Sequence, residues 1–104
     1  MTSRTLTNLE KEIRALKQRL ARTGAMRPGT LSVQYRHPKA RKTPFNQISY
    51  THKGRSRSEY VRPENLMAVK REIAAYKRFK STVEALVALS LKAARLRHRL
   101  TRKP

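Results

Sequence analysis

Leu6, Leu9, Ile13, Leu16 and Leu20 recur at spacings of three and four residues, with Glu10, Lys11, Glu12, Arg14, Lys17 and Arg19 between them. That alternation predicts an amphipathic helix over Thr2–Ala21 with a heptad seam. Thr7-x-x-Glu10 offers a capping box, and an earlier start at Ser3 is the alternative. Arg22-Thr-Gly24 ends the helix, glycine being the usual residue just past a helix end. Fewer than three heptads do not hold a helix in water, so the seam needs cover, from its own domain or from a second helix in a coiled-coil dimer.

After the turn at Met26-Arg-Pro-Gly29 the period changes to two. Leu31, Val33 and Tyr35 alternate with Ser32, Gln34 and Arg36, which predicts a half-buried strand over residues 30–36. His37 to Pro44 holds two prolines and no hydrophobic pattern, and reads as a basic connecting loop. Phe45 to Arg62 alternates, breaks at Lys53-Gly54 and alternates again, as a β-hairpin does. Ile48, Tyr50 and Asn46 share one parity. Ser58 and Tyr60 share another, with Arg57, Glu59 and Val61 opposed to them. A hairpin buries only one face and needs a further element against it.

Arg62-Pro63-Glu64 is a helix start, with proline early and an acid in the first turn. No glycine or proline follows until the terminal Pro104. Leu66, Val69, Ile73, Tyr76, Val83, Val87 and Ala94 hold a near-heptad line, widened by Phe79, Leu86 and Leu91. The helix should run to about Arg99, with the basic tail from Arg95 to Lys103 fraying. At about 1.5 Å per residue it reaches roughly 50 Å, longer than a three-stranded sheet covers. Its second half therefore packs on the N-terminal helix, a second copy or a larger partner. The expected fold is α+β: an N-terminal helix in 1–24, a three-stranded antiparallel sheet in 29–62, and a long C-terminal helix with a basic tail in 63–104.

Charge narrows the function. Lysine and arginine number 26 against 6 acids, a formal charge of +20. Such an excess opposes compaction unless a polyanion neutralises it. It is spread along the whole chain rather than gathered in a tail, which suits extended contact with nucleic acid better than a membrane anchor. No apolar run approaches a membrane span, and the N-terminus lacks the apolar core of a signal peptide. A cytoplasmic protein with no membrane partner is expected.

Catalytic chemistry is not expected. The chain has no cysteine and no aspartate. His37, His52 and His98 fall in three segments without metal-ligand spacing. The glutamates stand apart among cations, as salt-bridge or capping residues do, and two-metal chemistry needs clustered carboxylates. No cofactor and no metal are implied. The candidate nucleic-acid contacts form three groups: Lys53, Arg55 and Arg57 at the hairpin tip with Arg62; Arg36, Lys39, Arg41 and Lys42 around the basic loop; and Lys70, Arg71, Lys77 and Arg78 on the long helix. Phosphate contacts from these groups give affinity without sequence choice. Tyr35, Tyr50 and Tyr60 either stack on bases or form a sheet face covered by the helix. Leu6, Leu9, Ile13, Leu16, Leu20, Val83 and Val87 are the candidate assembly residues, for a protein partner or a homodimer.

Gly29-Thr-Leu31 with Gln34-Tyr-Arg36, Ile48-Ser-Tyr50, Lys53-Gly-Arg-Ser-Arg57, Tyr60-Val61 with Pro63, and Ala75-Tyr-Lys-Arg-Phe79 together resemble a family of small basic bacterial proteins. That family is a domain of unknown function, and its members are often found near mobile elements. The resemblance covers somewhat over half the chain. Many members carry a cysteine cluster between the first two strands; here His37 to Pro44 stands in that place without cysteine, so no metal knuckle is implied. The resemblance implies a bacterial, nucleoid-associated protein, and the mobile-element context implies an accessory subunit of a transposition or recombination complex. The expectation is thus a non-enzymatic nucleic-acid-binding protein, DNA before RNA, with an RNA-binding ribonucleoprotein component or a helical adaptor as the alternatives.

Overall fold

The computed structural model describes residues 2–101, with side chains from Arg4 onward. The order is helix α1 (Thr2–Ala21), strands β1 (Thr30–His37), β2 (Lys42–His52) and β3 (Arg55–Val61), a 3-10 turn (Pro63–Asn65) and helix α2 (Leu66–Thr101). The expected α+β arrangement is what forms. The chain divides into two compact units: residues 24–77 around the sheet, and residues 2–23 with 78–101, which are helical. The long helix contributes its first turns to one unit and the remainder to the other.

In the sheet unit the strands form an antiparallel meander in the order β1-β2-β3. His52 pairs with Arg55, leaving Lys53-Gly54 as a two-residue loop. Both loop residues have positive φ, 52° and 77°, the combination a type I′ hairpin turn requires. Ile48 is fully buried at the centre of β2, with Val61, Val69 and Ile73 as its buried neighbours and Leu31 and Leu66 at the margin. This small cluster fastens the start of α2 to one sheet face. Arg62 is extended (φ −66°, ψ 144°), as a residue before proline is driven to be, so β3 ends there and the 3-10 turn begins.

Three expectations are corrected. The basic loop is shorter than His37 to Pro44: β2 already begins at Lys42, with His37 opposite Lys42 and Tyr35 opposite Pro44. Pro44 is tolerated because β3 pairs with β2 only from Asn46 onward, so the missing N–H costs no ladder bond on that side. Helix α1 starts at Thr2, which places Thr7 and Glu10 inside it rather than at its cap. Tyr60, finally, does not lie under the helix; it sits opposite Gln47, on the face away from Ile48, and is 55% exposed.

In the helical unit Glu10 Oε2 accepts from Arg97 Nη1 at 3.5 Å, and Leu9 and Leu96 line one groove with Thr5, Lys92, Arg95 and Arg99. The buried positions of α2 here are Thr82, Ala93 and Leu96. Thr82 satisfies its hydroxyl by donating to the Arg78 carbonyl at 2.9 Å, the i−4 bond open to a helical threonine. Thus the covered line runs through 82, 93 and 96, while Val87 and Leu91, at 53% and 52% exposure, stand clear of it. Leu6, Leu9, Ile13, Leu16 and Leu20 are each only half-buried. The helix continues through the expected fraying tail as far as Thr101; Arg102 and Lys103 lie outside the described residues.

Candidate nucleic-acid interface

Strand alternation gives the sheet two unlike faces. On the Ile48 face, beyond the apolar cluster, lies a polar network. Arg27 Nη2 donates to Glu59 Oε1 at 3.1 Å, the Tyr50 hydroxyl donates to Glu59 Oε2 at 2.6 Å, and the Arg27 guanidinium stands 5.4 Å from the centre of the Tyr50 ring. The Arg27 backbone N–H donates to the Glu72 carbonyl at 3.2 Å, so the loop before β1 is tied to α2 as well as to β3. The Tyr50 hydroxyl, and after it Arg27, hold the Glu59 carboxyl below its usual value. The same hydrogen bond, to a carboxylate, raises the Tyr50 phenol above its own. Glu59 is therefore a structural ion-pair residue, in line with the reading of the glutamates as salt-bridge groups.

The opposite face is built of hydroxyls, amides and two rings. Ser49 pairs with Ser58 (Oγ–Oγ 3.1 Å) and Thr51 with Ser56 at 3.4 Å. Gln34 Nε2 donates to Ser32 Oγ at 3.1 Å. Phe45 lies opposite Gln34 and Tyr60 opposite Gln47, so the two rings are diagonal neighbours. Their centroids are 6.1 Å apart at an interplanar angle of 50°. The Arg36 guanidinium caps the other side, 5.6 Å from the centre of the Phe45 ring. One row thus crosses the sheet from Arg36 on β1 through Phe45 on β2 to Tyr60 on β3.

The candidate basic residues Arg36, Lys39, Arg41, Lys42, Lys53, Arg55, Arg57, Arg62, Lys70, Arg71, Lys77 and Arg78 are all solvent-exposed. They do not converge on one point. The meander puts Lys39 and Arg41, in the β1–β2 turn, at one end of β2, and Lys53, Arg55 and Arg57 at the other. The 11 residues of β2 separate these ends by roughly 30 Å at about 3.3 Å per residue. Register carries Arg55 and Arg57 opposite His52 and Tyr50, on the Ile48 side of the sheet. Lys70 and Lys77 flank a depression of about 290 Å³ that also touches Gly29, Thr30 and Leu31, so part of the helix group meets the β1 edge. Sequence reasoning did not single out Phe45, Gln34, Gln47 or Arg27. Among the described residues no three histidine or acidic side chains gather as a metal site, and no helix is long and apolar enough to cross a membrane. No protein-family model, no curated protein and no solved structure matches this chain.

Proposed function

We propose that the protein binds nucleic acid without catalysing a reaction on it, the sheet unit gripping the phosphate backbone along the length of β2. One observation carries this reading. Basic side chains stand exposed at both ends of the sheet and along α2, while Glu59, the acid nearest the hairpin tip, is occupied by Arg27 and Tyr50. A chain of charge +20 with its cations so displayed gains most from a polyanion, through release of condensed counterions. DNA is the first choice of ligand, and an accessory role in a transposition or recombination complex is the context favoured by the resemblance.

The test is equilibrium binding to duplex DNA, single-stranded DNA and structured RNA across a salt series. The wild type is compared with the Lys53→Ala/Arg55→Ala/Arg57→Ala variant. The wild-type log–log slope should be steep, and it should fall by roughly one unit for each phosphate contact removed. An unchanged slope would exclude the tip as a contact.

A second reading, in which the helical unit assembles copies of the chain, is favoured by the half-exposed α1 seam and by Val87 and Leu91 outside it. Two amphipathic helices bury little surface alone, and a second identical pair would complete a four-helix arrangement. Repulsion between basic copies makes such a dimer tighten as salt rises, the reverse of nucleic-acid binding. Sedimentation should therefore show salt-favoured dimers that the Leu9→Asp/Leu16→Asp variant cannot form. A wild type that is monomeric at every salt concentration would sink this reading.

A further inference from the structure

We infer that the open face of the sheet is a platform for unpaired nucleobases, so that the ligand of the proposed nucleic-acid site is a single strand. This rests on the nucleic-acid reading above and adds the substrate class and the residues that would choose it.

A buried aromatic pair would be ordinary cross-strand packing. Here Tyr60 is 55% exposed and Phe45 is half-buried, beside a helix-covered face that has its own apolar cluster. The centroid separation of 6.1 Å leaves no slot between the rings for a base, so bases would lie on the outer side of Tyr60 and on the guanidinium plane of Arg36. Unpaired bases stack on aromatic rings and on arginine planes alike. Around the row stand Gln34, Gln47 and Ser49, whose amides and hydroxyl match the hydrogen-bonding edges that an unpaired base exposes. Register places Glu59, the one acid of the strands, on the other side together with Arg55 and Arg57, so no carboxylate of the strands repels a phosphate here and Arg36 is the arginine of the platform itself. A duplex presents base edges in its grooves rather than ring faces, and an exposed aromatic ring suits it less well than a strand with its bases splayed.

The two sources of unpaired bases, DNA and RNA, share this chemistry, and the experiment separates them. Full-length protein is titrated against a labelled dU15 oligonucleotide, a U15 oligonucleotide and a 15-base-pair mixed-sequence duplex. The comparison is between wild type and Phe45→Leu/Tyr60→Thr, with circular dichroism to check the fold. The variant should lose roughly 5- to 150-fold in affinity per ring for the single strands, at an unchanged salt slope, and keep its duplex affinity within about twofold. Tighter wild-type binding to dU15 or to U15, which carry the same base, names the sugar, and either supports the inference.

The chain has no tryptophan, so Tyr60→Trp gives a single reporter that retains the platform even if the double variant misfolds. Its emission should be quenched by saturating oligonucleotide, as stacking on a base requires. Unquenched emission at saturation would overturn the inference, as would equal losses on duplex and single strands. If the tip variant lowers the salt slope while the ring variants bind normally, the platform fails and the nucleic-acid reading stands. Absence of binding by the wild type to all three ligands would remove both.

Discussion

Replacing Ile48 by alanine should cost about 2–5 kcal/mol and leave the sheet unit largely unfolded at 37 °C. Among the described residues Ile48 is the one large side chain with no exposed surface, and only Val61, Val69 and Ile73 share the buried cluster with it. Each neighbour retains 5–8% exposure, and only the partly buried Leu31 and Leu66 are packed against the cluster. A folded unit of this size is stabilised by roughly 3–8 kcal/mol in all, and removing three carbons from its centre takes most of that. The cavity would border the β2 position that both outer strands pair with, Leu31 on one side and Glu59 on the other, so loss of packing should release the whole meander. Amide chemical shifts of β1–β3 report on the sheet directly, whereas far-ultraviolet dichroism is dominated by the helices. A midpoint shift worth less than 1 kcal/mol would mean that the cluster does not hold the sheet.

Much of this architecture is written in local pattern. The seam from Leu6 to Leu20 gives α1 its bounds because one period persists without a breaker until Gly24. Lys53-Gly54 fixes the hairpin because a two-residue loop with positive φ at both positions admits few sequences. The same turn holds more than was drawn from it. Once His52 faces Arg55, counting back along both strands brings Gln47 opposite Tyr60, and Phe45 falls beside that ring on the face away from Ile48. The Phe45–Tyr60 pair is therefore within reach of the hairpin register alone, while the place of Arg36 depends on how β1 pairs with β2. Tyrosines in alternating runs are usually core residues, so the pattern by itself does not mark Tyr60 as exposed.

Other features had no local signal. The extension of β2 back to Lys42 depends on β3 stopping short of Pro44, a property of the pairing and not of the segment. The Arg27–Glu59 bridge joins residues 32 positions apart, and nothing near Arg27 announces it. Along α2 the apolar stripe is wide enough to offer two lines. Packing settles which is covered, burying Thr82 and Ala93 and leaving Val87 outside. The candidate basic residues were legible as exposed cations, but their separation to opposite ends of β2 follows from the meander.

Gly29→Ala should be destabilising out of proportion to its one methyl group, by about 2–6 kcal/mol when backbone strain and overpacking are combined. Two causes act together. Gly29 has φ of +150°, a conformation that side chains rarely adopt, and a Cβ built there would lie 2.6 Å from both Cδ1 and Cγ1 of Ile48. Ile48 has no free space into which it can turn, so the clash falls on the cluster itself. The Cδ1 part of the clash can be isolated by Ile48→Val, which keeps Cγ1 and removes Cδ1 at a cost of only about 0.5–1.5 kcal/mol. In that background Gly29→Ala should cost less than in the wild type, by about 0.5–3 kcal/mol, the range of coupling between residues in contact. Urea denaturation of the four proteins, with trimethylamine oxide added to keep the weakest one folded, gives the cycle. Additive costs would show that Cδ1 adds nothing to the backbone strain and the Cγ1 contact that valine retains. A large coupling would show that the loop entering β1 must pass close against Ile48, with glycine required by the approach of one strand entry to the centre of the sheet.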